Sequence, residues 1–232
     1  MLRKLTMGAV AAVLSLGVFA APVGAVDPTS AALLNGVPTA VDVCVGRTEI
    51  VSNLRYGRVL FFRDIEAGQY RFVIRKAAPG KCKGIILGVV TPTWQAGENH
   101  TSVLWQPFSK LLVKTFTNDM DVPEGTSTLT FHHVAAQPPG ADVWLWEHVT
   151  LADDFPPTIN DLRRGQASDS IVVRPGQYSI SVYPSKRTRL FTWEGYWSRT
   201  ETGQVRGIYL IGTNKKNIMM TSIYADGNVI TP

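Results

Sequence analysis

At 232 residues, with 45% hydrophobic and 18% charged residues, the chain has the composition of a folded protein and not of a disordered tail. Its formal net charge is +5, but the basic pairs Arg75-Lys76, Arg163-Arg164, Lys186-Arg187 and Lys215-Lys216 are scattered among separate turns. Dispersed pairs are solvated loop charge, so the composition argues against a nucleic-acid-binding stripe.

The chain opens on Arg3 and Lys4, followed by an apolar run from Met7 to Ala21 and the small-residue site Val23-Gly24-Ala25. This order is that of a secretory signal peptide over residues 1–25, cut after Ala25, in preference to an uncleaved membrane anchor. No later apolar stretch is long enough to span a bilayer, so no transmembrane segment is expected after cleavage. No cysteine closely follows the cut for lipid attachment, which leaves a secreted or cell-envelope-associated product. Cleavage lowers Lys+Arg from 23 to 21 against 18 acidic residues, a net charge of about +3.

Beyond the leader, short stretches carry strand composition. In chain order they are Arg71–Arg75, Ile85–Val90, Val103–Trp105, Leu111–Val113 and Ser179–Tyr183, with Ile85–Val90 expected to be a buried strand. Gly68-Gln69 and Gly176-Gln177 read as tight turns before two of them, and no long stretch has helical apolar spacing. All-β is the expected class.

An internal repeat organises these elements. Ala40-Val41-Asp42-Val43 recurs as Gly140-Ala141-Asp142-Val143, Leu54-Arg55-Tyr56-Gly57 as Leu162-Arg163-Arg164-Gly165, and Ala67-Gly68-Gln69-Tyr70 as Pro175-Gly176-Gln177-Tyr178. Thr115–Asp119 matches Ser222–Asp226 more loosely. Asp142 lies 100 residues after Asp42, whereas Gly165, Gly176 and Tyr178 lie 108 after their counterparts. The second copy therefore has 8 extra residues, placed around Leu151–Asn160, where Asp153-Asp154 and Pro156-Pro157 read as loop. The expected organisation is a sandwich repeat over residues 26–120, a linker at 121–126 and a second sandwich repeat over 127–232.

Cys44 and Cys82 both fall in the first copy. In an oxidising compartment an even count favours one disulfide over two free buried thiols. Their arrangement lacks the Cys-Trp-Cys order of an antibody-type bridge, so a link from a strand to the loop after a later strand is expected.

The landmarks resemble a family of exported bacterial repeats, domain of unknown function 4397, whose copies read H-A-S-P-D-x-P-x-V-D-V, then N-L-x-Y-G-x-V, then L-P-A-G-x-Y. Here the first copy has Ala40-Val41-Asp42-Val43, then Asn53-Leu54-Arg55-Tyr56-Gly57-Arg58-Val59, then Ile65-Glu66-Ala67-Gly68-Gln69-Tyr70. The second keeps His133 nine residues before Asp142, where the first has Leu33, and its middle motif is degraded. The resemblance implies two tandem immunoglobulin-like β-sandwiches in an exported or envelope-associated protein. It implies no activity and no catalytic residue.

The candidate chemistry is sparse. His132 and His133 are strand neighbours, point to opposite faces and are poorly placed to share a metal. His133 is expected to bond the loop leading to Asp142, and the duplicated Asp42 and Asp142 to bond backbone N–H groups. Asp153-Asp154 with Asp161 lacks calcium-loop spacing, and Asn99-His100-Thr101 fits a glycosylation acceptor without further support. No G-x-S-x-G turn is present. No cofactor, metal or catalytic set is expected.

The aromatic residues are the sharpest candidates. Trp144 and Trp146 share one face of a strand whose other face carries Val143 and Leu145, matching Val43 and Val45 of the first copy. If the valine face is core, both tryptophans look outward, and Trp193, Tyr196 and Trp197 add a second cluster. Such a patch would bind a cell-envelope polysaccharide or another protein; burial against the first domain or in a wide core is the competing reading. The expected function is a non-catalytic binding or structural module, with a carbohydrate-binding module or a secreted hydrolase as alternatives.

Overall fold

The structure, a computed structural model, describes residues 29–107, 109–147, 157–185, 193–213, 217–225 and 229–230, with the backbone alone at 193–198 and 229–230. The expected signal peptide, and the part of the extra segment up to residue 156 with Asp153-Asp154, lie outside the described residues. Among the described residues every regular element is a β-strand.

The first half contributes β1 (Thr29–Asn35), β2 (Val41–Val45), β3 (Thr48–Leu54), β4 (Val59–Ile65), β5 (Gly68–Gln69), β6 (Phe72–Lys76), β7 (Ile86–Val90), β8 (Thr93–Trp94), β9 (Asn99–Trp105) and β10 (Leu112–Asn118). The second contributes β11 (Ser127–His133), β12 (Gly140–Glu147), β13 (Ile159–Arg163), β14 (Gln166–Ala167), β15 (Ile171–Val173), β16 (Gly176–Pro184), β17 (Trp193–Thr200), β18 (Val205–Ile211), β19 (Met219–Tyr224) and β20 (Val229–Ile230).

Among the described residues no sheet mixes strands of the two halves. In the first half one sheet runs β10-β9-β1-β4 and another β3-β2-β6-β7, with β5 and β8 forming a two-stranded sheet; in the second the orders are β20-β19-β18-β11-β14, with β15 also paired to β11, and β13-β12-β16-β17. Apart from β15, β20 and the β5·β8 pair, the orders match strand for strand, down to the parallel pairs β1·β9 and β11·β18. The all-β sandwich expectation holds. The immunoglobulin constant domain puts its first, second, fourth and fifth strands on one sheet, so the likeness to that fold is one of architecture and not of strand order.

Hydrophobic alternation explains the layering. Leu33 and Leu104 of the first sheet meet Val41, Val43, Phe72 and Ile74 of the second. Leu129, Phe131, Ile208 and Leu210 meet Ala141, Val143, Ile180 and Val182 in the other half. The opposite faces of the two inner sheets then meet each other: Leu34, Val103 and Phe116 pack on Tyr209, Ile211 and Ile223. Both sheets with a parallel pair are thus covered on both sides, as parallel strands require, and the four larger sheets form a stack. Tyr56 Oη shares its one proton between the Asn217 carbonyl and the Ile211 carbonyl, the latter at 3.1 Å, and Asn99 Nδ2 donates to the Ala225 carbonyl at 2.7 Å.

Two local expectations are corrected. Gly68-Gln69 and Gly176-Gln177 are strand and not turn, pairing with Trp94 and Thr93 and with Thr200 and Arg199. Ile85–Val90 is not a buried strand: β7 lies at a sheet edge, and Ile85, Ile86 and Val89 are 76%, 53% and 44% exposed. A short apolar run does not reveal whether a second neighbour covers it.

Candidate functional site

The repeated landmarks prove to be fastenings. Asp42 Oδ1 accepts the N–H of Asn53 at 2.9 Å, and Asp142 Oδ1 accepts that of Asp161 at 2.8 Å. Asn53 and Asp161 both have positive φ, 53° and 54°, a left-handed conformation that Asn and Asp tolerate better than other residues. Tyr70 Oη donates to the Glu66 carbonyl and Tyr178 Oη to the Arg174 carbonyl, each four residues upstream. The Gly57 and Gly165 N–H groups donate to the Asn35 and His133 carbonyls. The structural counterpart of His133 is therefore Asn35 and not Leu33. Both side chains brace the following loop: Asn35 Nδ2 donates to Thr39 and Leu54 carbonyls, and His133 Nε2–H to the Pro138 carbonyl at 2.8 Å.

Within Asn53-Leu54-Arg55-Tyr56-Gly57, the positions that bond inside their own sandwich recur as Asp161, Leu162 and Gly165. Tyr56, which reaches the other half, is replaced by Arg164. The degraded middle motif has thus lost the tyrosine that bridges the halves, while Gly57, whose carbonyl accepts from the Thr221 hydroxyl of the other half, recurs as Gly165.

Cys44 of β2 is bonded to Cys82, in the loop after β6, as expected. Cys44 faces away from the core valines, and the bridge straps the segment 77–84 to β2.

The structure separates the five aromatic candidates. Val143, Ile180 and Val182 face the core with Leu145 against them, so the valine face is the inner one. Trp144 lies on the other face but is only 5% exposed, its ring edge-on to Tyr183 with centroids 4.9 Å apart. The expectation that both tryptophans look outward fails for Trp144, because alternation assigns a face and not its cover. Trp146 is half-buried. The side chains of Trp193, Tyr196 and Trp197 lie outside the described ones, but backbone register pairs them with Val182, Ile180 and Ser179. Ser179 also pairs with Trp146 across β12. Residues 146, 179 and 197 thus form one cross-strand row, with Trp144 and Ser181 in the next.

The histidines are structural in different ways. His133 is buried, and desolvation pushes its pKa down to about 4. His132 was not singled out for packing, yet it enters the junction of the halves. Its ring stacks on Tyr209 and touches Phe116, neither ring nitrogen has a partner, and burial pushes its pKa down to about 3. His100 is also held below its ordinary value by desolvation, against the opposing pull of Glu98 at 3.5 Å. Asn99 is engaged with Ser30 and Ala225 as a structural tie. Among the described residues no group of three or more His, Cys, Asp or Glu is placed to hold a metal ion.

These features define a double β-sandwich with a strapped first half and a tryptophan-bearing outer sheet in the second. Residues 30–144 match the family model described as Domain of unknown function (DUF4397), which supports the family the motifs resemble. The match is single: it runs from β1 into β12, and the second half is not matched as a copy of its own. Comparison with curated proteins finds no match. A solved structure described as "Alpha-glucan binding by a streptococcal virulence factor" is similar at 12% identity, covering 78% of this chain and 92% of that chain, with a TM-score of 0.26. So slight a likeness carries no argument about this chain.

Proposed function

We propose that the protein is an exported, non-catalytic binding module built of two copies of one sandwich repeat, 26–120 and 127–232, with the outer sheet of the second half as its binding face. The observation that carries this reading is the cross-strand row Trp146–Ser179–Trp197 on β12, β16 and β17. Tryptophans in one cross-strand row of an outer sheet suit a sugar polymer, whose rings stack on indoles. Matching sheet orders support the second copy, and a disulfide supports an oxidising destination.

Retention of the protein on isolated cell-envelope polysaccharide tests the reading. The wild type is expected to be retained and Trp146→Ala to be released, with its melting transition little changed. Equal retention of both, or none of the wild type, would sink it.

A further inference from the structure

The two halves treat their matching carboxylates differently. Asp142 Oδ1 accepts the Ser185 hydroxyl at 3.0 Å besides the Asp161 N–H. Ser185 N–H donates to the Gly140 carbonyl, and in the first half Ala77 N–H donates to Ala40 in the same manner. Ala77 therefore stands where Ser185 stands and supplies no hydroxyl. Asp42 is 1% exposed, and its Oδ2 has no hydrogen-bond partner.

What adjoins Asp42 is a recess of about 500 Å³, within the range of small-ligand pockets, lined by Asp42, Glu49, Ser52, Asn53 and the segment Ala77–Lys81. A buried acceptor without a partner is costly, and Asp42 is among the residues that line this recess, so a donor arriving there would relieve the cost. The second half closes the matching place with its own side chains: a Cβ on Gly140 would collide with Asp161 Oδ1 and Ser185 Oγ. The first half, with Ala40 and Ala77 there, keeps it open.

We propose that this recess is a binding site for a hydroxyl-rich ligand of the sugar class, one of whose hydroxyls donates to Asp42 as Ser185 does to Asp142. Glu49 and Ser52 offer further polar groups at its wall. Its far wall is held in place by the disulfide, since Cys82 directly follows Lys81 and Cys44 sits two residues from Asp42 on β2. The site lies on the first half, and its test does not depend on the tryptophan face.

The backbone amide of Asn53, bonded to Asp42, reports on the site by NMR. Glucose, maltotriose, cellotriose and chitotriose are titrated into the wild type, Trp146→Ala and the double variant Ala40→Gly/Ala77→Ser. The double variant copies the closed arrangement of the second half and spares Asp42. At least one sugar is expected to shift the Asn53 amide saturably in the wild type and in Trp146→Ala, with affinity at least tenfold weaker in the double variant and in reduced protein. No saturable shift with any sugar, an undiminished shift in the double variant, or a response to calcium chloride alone would overturn the proposal.

Discussion

The imidazole of His132 lies flat on the ring of Tyr209, with centroids 4.3 Å apart and planes 7° from parallel. Both belong to the second half, and Phe116 of the first closes on them, its ring 4.5 Å from the imidazole. A histidine in this place is held neutral, which links the junction to pH.

Stability is expected to fall on acidification. The pKa values of His132 and His133 are about 3 and about 4 in the folded protein, against 6.5 ordinarily. The unfolded chain takes up these protons first, so the full contribution is present above pH 6.5 and is lost as pH falls from there towards 3. At pH 5 the loss is about 2 kcal/mol per histidine. Urea unfolding between pH 7.5 and 4.5 measures it, and His132→Phe should flatten the slope by about one proton.

Opening the disulfide should destabilise the first half. It closes a loop of sequence separation 38, for which chain entropy gives about 4 kcal/mol. Denaturation midpoints with and without reductant test this, and two thiols should become reactive only after reduction.

The two tryptophans of β12 should part company. Trp144→Ala is expected to cost about 3–5 kcal/mol, as for a buried aromatic residue, whereas Trp146→Ala should cost far less. Equal losses in paired thermal melts would contradict the burial of Trp144.

Weakening the junction should uncouple the halves. Leu34, fully buried between the inner sheets, should cost about 2–5 kcal/mol on truncation to Ala. Tyr56→Phe removes the bonds to Ile211 and Asn217, at about 1–2 kcal/mol. The double variant is expected to unfold in two steps by calorimetry; a single sharp transition would show the halves to be coupled elsewhere.

Much of this architecture was legible in residue patterns. Asp42 and Asp142, or Tyr70 and Tyr178, repeat because each fastens its own sandwich locally. Local bonds leave a local signature, and the strap from Cys44 to Cys82 was readable from cysteine count and compartment. What escaped depends on neighbours remote in sequence. The cover over Trp144, the exposure of Ile86 and Val89 at an edge, and the burial of His132 against Phe116 are set by which sheet lies opposite. The Asp42 recess escaped for another reason: its signal is a missing hydroxyl at Ala77, visible only once Ser185 is superposed in register.

The four-sheet stack has a consequence for how the molecule meets its surroundings. Both inner sheets are sealed, so the broad sheet faces left for a partner are those of the two outermost sheets, which carry the Asp42 recess and the tryptophan row. With packed sheets roughly 10 Å apart, three gaps set these faces about 30 Å from each other, pointing in opposite directions. The two proposed sites, so arranged, could not grip one short ligand together. They would instead cross-link separate strands of a polymer mesh, and their avidity would grow with the density of the mesh and not with the length of any one chain.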